Sequence, residues 1–140
     1  MSTALEIYQD HLDQVSHLIW IRDFEAVTRL MTYPHELLVD EEVTTVDSPA
    51  TLIEWATKFR DRLQEMGATG YHRVAIAAAF TGDDEDRIDG FHRVYVLDGA
   101  SHLIEPYSSE ASLLKHHDVW LGRGVRATLR KARYAVDDEA

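Results

Sequence analysis

The chain contains no cysteine, which excludes disulfide bridges, thiolate metal sites and cysteine nucleophiles. It also lacks any run of about 18 uncharged apolar residues, the length that a membrane-spanning helix needs. The first residues carry acidic side chains early and have neither the basic region nor the apolar core of a secretory signal peptide. These absences predict a cytoplasmic protein without a membrane partner.

Basic residues are scarce. Lys and Arg number 14 against 25 Asp and Glu, so the formal net charge at pH 7 is −11. A negative surface repels phosphate backbones, and this charge therefore predicts no nucleic-acid partner. Residues 115–134 are a local exception, with six Lys or Arg and a single acid. We interpret them as a solvated sheet face or as partners for acidic helices of the same fold, with an anionic ligand or a subunit contact as the alternative.

The histidines show no metal-binding spacing. His116 and His117 are adjacent and would point to opposite faces of a strand, while His11 and His17 do not share a face of a helix. The chain also has no His-x-x-x-His run, Gly-x-Ser-x-Gly elbow, Walker loop or Gly-x-Gly-x-x-Gly fingerprint. We therefore predict no metal and no cofactor.

Helix signals occupy the first half of the chain and predict helices over residues 3–21, 23–31 and 49–66. Thr3 and Glu6 form a capping-box pattern, Asp23 can cap the second helix, and Ser48-Pro49 is a strong start for the third. In the first helix, one apolar stripe is formed by Leu5, Tyr8, Leu12, Val15 and Ile19.

Strand patterns dominate the second half, after a small hairpin or bent strand predicted within residues 36–46. Further strands are predicted over residues 71–81, 87–97, 100–107, 113–120 and 125–136. Asp98-Gly99 is a strong two-residue hairpin signal, and the last two strands would join near Gly122 and Gly124. Helices first and strands last predict an α+β fold, with one domain over residues 1–136 and a short acidic tail over 137–140.

The chain resembles the NTF2-like superfamily, in its SnoaL-like branch, through three structural motifs. These are Asp-Phe-Glu-Ala-Val at 23–27, Ser-Pro-Ala-Thr-Leu at 48–52 with Trp55, and the long strands from Tyr71 onward. The resemblance implies a cone-shaped α+β barrel, in which N-terminal helices pack on a curved antiparallel sheet around a pocket, and a homodimer formed through the sheet. Members include isomerases, cyclases, dehydratases, enzyme subunits and binding proteins, so the fold leaves the chemistry open.

A comparison with the ketosteroid isomerases of this superfamily gives a partial match. Those enzymes carry a tyrosine in the first helix, eight residues before the capping aspartate, where this chain has Val15. Their general base is an aspartate just after the second helix, and Asp40 is the nearest match, displaced by about one residue. An aspartate between two strand patterns is more typical of a turn, with the catalytic base as the alternative.

Counting back from a two-residue turn at Asp98-Gly99 sets His92 opposite Glu105. Directly opposed residues have Cβ atoms about 4.5–5.5 Å apart, so an imidazole–carboxylate pair would form and raise the pKa of His92, as in a general base. Tyr107 would share that sheet face and donate a hydrogen bond. The alternative is a cross-strand pair that only stabilises the sheet.

The same register divides the sheet into two faces. His92, Val94 and Val96 would share one face with the small residues Ala75, Ala77 and Ala79, as a pocket floor or a dimer contact. Core positions on the other face would include Phe91, Tyr95, Leu97, Val74, Ile76 and Phe80.

Aromatic residues supply the predicted ligand-binding set, which consists of Trp20, Tyr33, Trp55, Phe59 and Tyr107. They would hold a flat apolar or ring-containing ligand, with plain core packing as the alternative. The leading hypothesis is therefore a small-molecule-binding domain. The alternatives are a cofactor-independent isomerase, cyclase or dehydratase using His92 with Glu105 or Asp40, and an interaction module that dimerises or docks on an enzyme.

Overall fold

The computed structural model describes residues 2–39 and 42–127. Three helices form in its first half, α1 (Ala4–Trp20), α2 (Phe24–Thr28) and α3 (Pro49–Glu65). Each begins after the predicted cap, because the side-chain oxygens of Thr3, Asp23 and Ser48 accept hydrogen bonds from backbone N–H groups in the first turn. The predicted number and order of helices is confirmed.

Helix α2 is shorter than predicted, ending at Thr28 instead of continuing to Met31. The chain enters the sheet at this point. The Leu30 carbonyl accepts a hydrogen bond from the Gly122 N–H at 2.7 Å, and Met31 begins the first strand. Leu30 and Met31 therefore pack against the core from outside the helix.

A seven-stranded sheet follows the order β2-β1-β7-β6-β4-β3, and β5 pairs with β4. The strands are β1 (Met31–Val39), β2 (Glu42–Val46), β3 (Gly70–Thr81), β4 (Arg87–Asp98), β5 (Ser101–His102), β6 (Tyr107–His116) and β7 (Val119–Ala127). The predicted α+β fold, with helices on a curved sheet, is confirmed. The sheet is open rather than a closed barrel, and it is mixed rather than antiparallel because β1 and β7 run parallel.

The turn between β6 and β7 differs from the prediction. It lies at His117 and Asp118, which adopt φ angles of 51° and 66°, and not near the two glycines. Gly122 and Gly124 lie inside β7, where β1 approaches closely. A Cβ at these positions would meet Met31 Sδ at 2.6 Å and the Glu36 carbonyl oxygen at 2.8 Å, respectively. Close packing of two strands, rather than a turn, accounts for these glycines.

A β-bulge between Ala75 and Ala77 interrupts the pairing of β3 with β4. One extra residue reverses the inside–outside alternation, so the second half of β3 presents different positions to the helices. The prediction that Val74 and Ile76 belong to the core was wrong, since they are 44% and 50% exposed on the convex face. Phe80 packs against the core, as predicted.

Two groups of buried residues fill the space between the helices and the concave face. The larger joins all three helices to the middle of the sheet, and the smaller consists of Ala4, Tyr8, Leu12, Ile88 and Leu113. Helix α1 also bonds to the backbone of the outer strand β3 through the Gln9 side chain. The Gln9 amide donates to the Arg73 carbonyl at 2.9 Å and accepts from the Ala75 N–H at 2.7 Å.

None of the described helices is both long and apolar enough to cross a membrane. The predicted acidic tail, residues 137–140, lies outside the described residues, as does the last part of the basic stretch at 115–134. Within the described part of that stretch, Lys115 lies 3.8 Å from the exposed carboxylate of Asp118.

Candidate functional site

An interior cavity of about 90 Å³ lies between the helices and the concave face of the sheet. Its walls are mostly apolar, with Val15 and Ile19 from α1, Leu52 and Phe59 from α3, and Val94 from β4. Pockets for drug-sized ligands enclose roughly 300–1,000 Å³, so this cavity suits only a much smaller molecule.

His92 is the polar residue at the centre of the sheet side of this cavity. It is 1% exposed, and β4 sets it opposite Ala75 on one side and Ser109 on the other. Its Nδ1 atom lies 2.6 Å from the hydroxyl oxygen of Tyr8. Its Nε2 atom is buried and has no hydrogen-bond partner among the described residues. Because buried polar atoms are normally paired, this nitrogen is where a ligand would be expected.

Tyr8 holds the His92 ring from α1. The phenol ring lies against Gly90, where any Cβ would overlap it. Burial raises the pKa of Tyr8 well above its ordinary value, so its hydroxyl keeps its proton. Among the described residues, the hydrogen-bond contact of this hydroxyl is with His92 Nδ1, so the protonated hydroxyl donates to that nitrogen. We therefore assign the His92 proton to Nε2, as an N–H donor facing the cavity.

The charge state of His92 follows from its surroundings. Burial, and then the nearby Arg73 guanidinium, lower the pKa of His92 to about 3. The imidazole is therefore neutral near pH 7, and it donates a hydrogen bond without carrying charge. This overturns the expected increase in pKa, which depended on a carboxylate partner.

A second histidine, His35 on β1, also lines the cavity. It is 2% exposed, and its Nδ1 atom is buried without a hydrogen-bond partner among the described residues. Burial lowers the pKa of His35, while a hydrogen bond with the Gly122 backbone partly opposes this. The cavity thus exposes unpaired nitrogens of two neutral imidazoles.

Three further polar side chains reach the cavity lining, from β3 and β6. Arg73 donates from Nε to the Ser16 hydroxyl oxygen at 2.8 Å and from Nη2 to the Leu12 carbonyl at 3.3 Å. Tyr107 is buried, which raises the pKa of its hydroxyl, and Ser109 lies beside it on the same face. These groups give an apolar cavity a few converging polar atoms, as ligand sites commonly have.

The predicted pairing of His92 with Glu105 was wrong. The hairpin pairs Asp98 with Ser101, and after a further shift of register His92 lies opposite Ser109. Glu105 is exposed in the connection between β5 and β6. Its role as a catalytic residue stays a prediction without support from the geometry. Asp40 lies outside the described residues.

Among the five predicted ligand-binding aromatics, Trp55, Phe59 and Tyr107 line the cavity. Trp55 stacks on Phe59 with ring centroids 5.5 Å apart. Trp20 and Tyr33 are not in the cavity wall. The Trp20 ring packs against the Arg60 guanidinium at 3.9 Å, and the Tyr33 hydroxyl donates to the Thr28 carbonyl at 3.0 Å.

Sequence reasoning missed three polar residues of the site, namely Tyr8, His35 and Arg73. Tyr8 was placed in the apolar stripe of the first helix, although its hydroxyl needs a partner when buried. Arg73 shares the inner side of β3 with Tyr71 and Ala75, and a cation at an inward position was a usable signal. No signal in the sequence marked His35. The described residues contain no group of three or more His, Asp or Glu that could hold a metal ion.

Comparisons with known proteins identify the fold. No protein-family model matches the chain, and no curated protein sequence matches it. An NTF2-like protein with a cystatin-like fold from Novosphingobium aromaticivorans aligns with a TM-score of 0.66 at 14% identity, over 90% of this chain and 81% of the other.

Two further solved structures agree. Aln2 from a Streptomyces species aligns with a TM-score of 0.64 at 14% identity, over 86% of this chain and 85% of its own. A protein of unknown function with a cystatin-like fold from Nostoc punctiforme aligns with a TM-score of 0.64 at 12% identity, over 89% of this chain and 91% of its own. Likenesses at such low identity reveal the architecture alone, and the architecture of this chain is the NTF2-like, cystatin-like fold.

Proposed function

We propose that the chain binds a small, largely apolar molecule in the interior cavity, and that the ligand carries a hydrogen-bond acceptor facing His92. The unpaired, buried Nε2 atom of His92 is the observation that carries this proposal. Leaving such a group unsatisfied costs about 1–3 kcal/mol, and a ligand carbonyl or similar acceptor would recover much of that cost. The apolar walls would supply the rest of the binding free energy.

The size of the cavity limits the ligand. An apolar cavity of about 150 Å³ holds a molecule the size of benzene, and the cavity here measures about 90 Å³. A ring-containing ligand therefore has at most one small ring unless the walls move. Three aromatic side chains of the cavity wall would contact the ligand. They are the stacked pair Trp55 and Phe59 and the neighbouring Tyr71, whose ring centroid lies 5.2 Å from that of Phe59.

General acid–base catalysis is not the function that this geometry favours. An imidazole with a pKa of about 3 is a weak base near pH 7, and Glu105 does not contact it across the sheet. His92 is better suited to donate a hydrogen bond to a ligand oxygen. The proposal therefore keeps His92 and Tyr107 in the site as binding groups.

The test uses cyclopentanone, with cyclopentane as the matched molecule that lacks an acceptor. Calorimetric titration of the wild type should give measurable affinity for the ketone. His92→Met replaces the imidazole with an apolar side chain of similar length and so removes the donor. This variant should bind the ketone about tenfold more weakly, as the loss of one hydrogen bond predicts. His102→Met, a change at an exposed histidine on β5, is the control. No binding by the wild type, or equal binding by His92→Met, would contradict the proposal.

The finer parts of the family resemblance belong to the same proposal. The motifs at residues 23–27 and 48–52 support a place in the SnoaL-like branch. A cytoplasmic location is part of the same proposal. The exposed side chains of Val74 and Ile76 on the convex face support a homodimer formed through the sheet.

A further inference from the structure

The wall of the interior cavity includes a cation, Arg73, for which the described residues show no ion pair. Two ion pairs in the described part of the chain join Arg22 to Asp61 and Arg87 to Asp89. Neither involves Arg73, although 25 acidic residues are available in the sequence. The two hydrogen bonds of Arg73 go to neutral oxygens, the Ser16 hydroxyl and the Leu12 carbonyl.

These two bonds fix the guanidinium without neutralising it. A guanidinium has five N–H donors in a planar fork and carries its charge throughout the pH range in which proteins fold. The N–H on Nε and one of the two on Nη2 are used in these bonds. The remaining donors keep the geometry that suits a two-oxygen anion, because a carboxylate accepts two parallel bonds from such a fork.

Arg73 lies where the cavity approaches the surface. Arg73 and Tyr71 line the interior cavity and also a groove of about 230 Å³ between α1 and the start of β3, next to Ser16 and Trp20. A charged group held at this end of the cavity would stay close to water. Much of the remaining cavity wall, which includes Val27 and Val125, is apolar and suits hydrocarbon.

We propose that the ligand of the cavity is a short-chain carboxylate, whose anionic end binds the Arg73 guanidinium and also supplies the acceptor for His92 Nε2, and whose hydrocarbon part lies among the apolar walls. This inference rests on the proposed function and adds the charge and the orientation of the ligand.

The experiment compares propionate with propionamide, which has the same shape and no charge. Affinities are measured by calorimetry for the wild type and for two variants that each remove one cation. Arg73→Gln removes the cavity charge. Arg93→Gln removes a charge from the adjacent strand, where the guanidinium donates to the Pro106 carbonyl at 3.4 Å and does not line the cavity. It is the matched control.

The expected result is a wild-type preference for propionate of about tenfold or more, from a charge-assisted hydrogen-bond pair in place of neutral ones. That preference should vanish in Arg73→Gln and persist in Arg93→Gln. Wild-type binding of propionamide as tight as that of propionate would overturn the carboxylate inference and leave the proposed function standing. Loss of the preference in both variants would also overturn it. If neither compound binds the wild type, both proposals fail.

Arg73 also ties β3 to α1, so Arg73→Gln could fail to fold. Arg73→Lys then takes its place, because it retains the charge without the fork. It should keep a preference for propionate that is smaller than that of the wild type. Equal binding of acid and amide by this variant would overturn the proposal.

Discussion

Acid should destabilise this protein through His92, and substitution of that residue should reduce the effect. The pKa of His92 is about 3 in the folded protein, whereas a histidine in an unfolded chain has a pKa near 6.5. Below about pH 6.5 the unfolded chain therefore binds one more proton than the folded protein at this site. The stabilising contribution is fully present above that pH and is lost as the pH falls toward 3.

The size of the effect follows from the same difference. One extra proton on the unfolded chain lowers the free energy of unfolding by about 1.4 kcal/mol for each pH unit. Over two pH units the loss is about 3 kcal/mol, a large share of the roughly 5–15 kcal/mol of a typical domain. Burial also lowers the pKa of His11, to about 4. Between about pH 4 and 6.5, His11 therefore adds a similar dependence of the free energy of unfolding on pH.

The measurement is urea denaturation at a series of pH values for the wild type and His92→Gln. Glutamine retains an oxygen acceptor for the Tyr8 hydroxyl and does not titrate. Between about pH 4.5 and 6, its stability should depend on pH less steeply than that of the wild type, by about 1.4 kcal/mol per pH unit. Identical slopes for the two proteins would refute the buried, neutral state of His92. His116→Gln, at an exposed site, reports the effect of removing a histidine as such.

Three further outcomes test the packing and assembly. Tyr8→Phe leaves His92 Nδ1 without its partner and should lower the free energy of unfolding by about 1–3 kcal/mol in urea; an unchanged midpoint would contradict the hydrogen bond. Gly90→Ala places a Cβ into the Tyr8 ring and should cost about 1–3 kcal/mol, with a smaller cost in a Tyr8→Leu background, and strict additivity of the two changes would count against the contact. In light scattering, the wild type should have the mass of a dimer of the 16.0 kDa chain. Ile76→Asp on the convex face should yield monomer, whereas Leu5→Asp on α1 should leave the dimer intact. A wild-type monomer at micromolar concentration would exclude the sheet dimer.

The helical half of the fold could be predicted because its signals are local. Caps at Thr3, Asp23 and Ser48 act within one turn of the residues that they satisfy, so a short window contains both partners. The end of α2 was mispredicted because a distant group, the Gly122 N–H, takes the Leu30 carbonyl. Local patterns carry no information about such a partner.

The site could be predicted only in part, for a related reason. His92 was identified, but its partner Tyr8 lies 84 residues away in another element, and counting along a hairpin cannot reach it. Register was the second obstacle. The bulge after Ala75 and the shifts around β5 each change which residues face each other, and these shifts depend on packing against the helices rather than on turn residues.

The two hydrogen bonds of Gln9 affect how the protein behaves at high concentration. Strand β3 is the last strand of the sheet, and an outermost strand offers unpaired N–H and C=O groups onto which another chain can add. The Gln9 amide occupies the Ala75 N–H and the Arg73 carbonyl as a neighbouring strand would. The helix that covers the cavity therefore also blocks this part of the edge strand, and the proposed ligand binding and the protection of that edge would both depend on the same packing of α1 against β3.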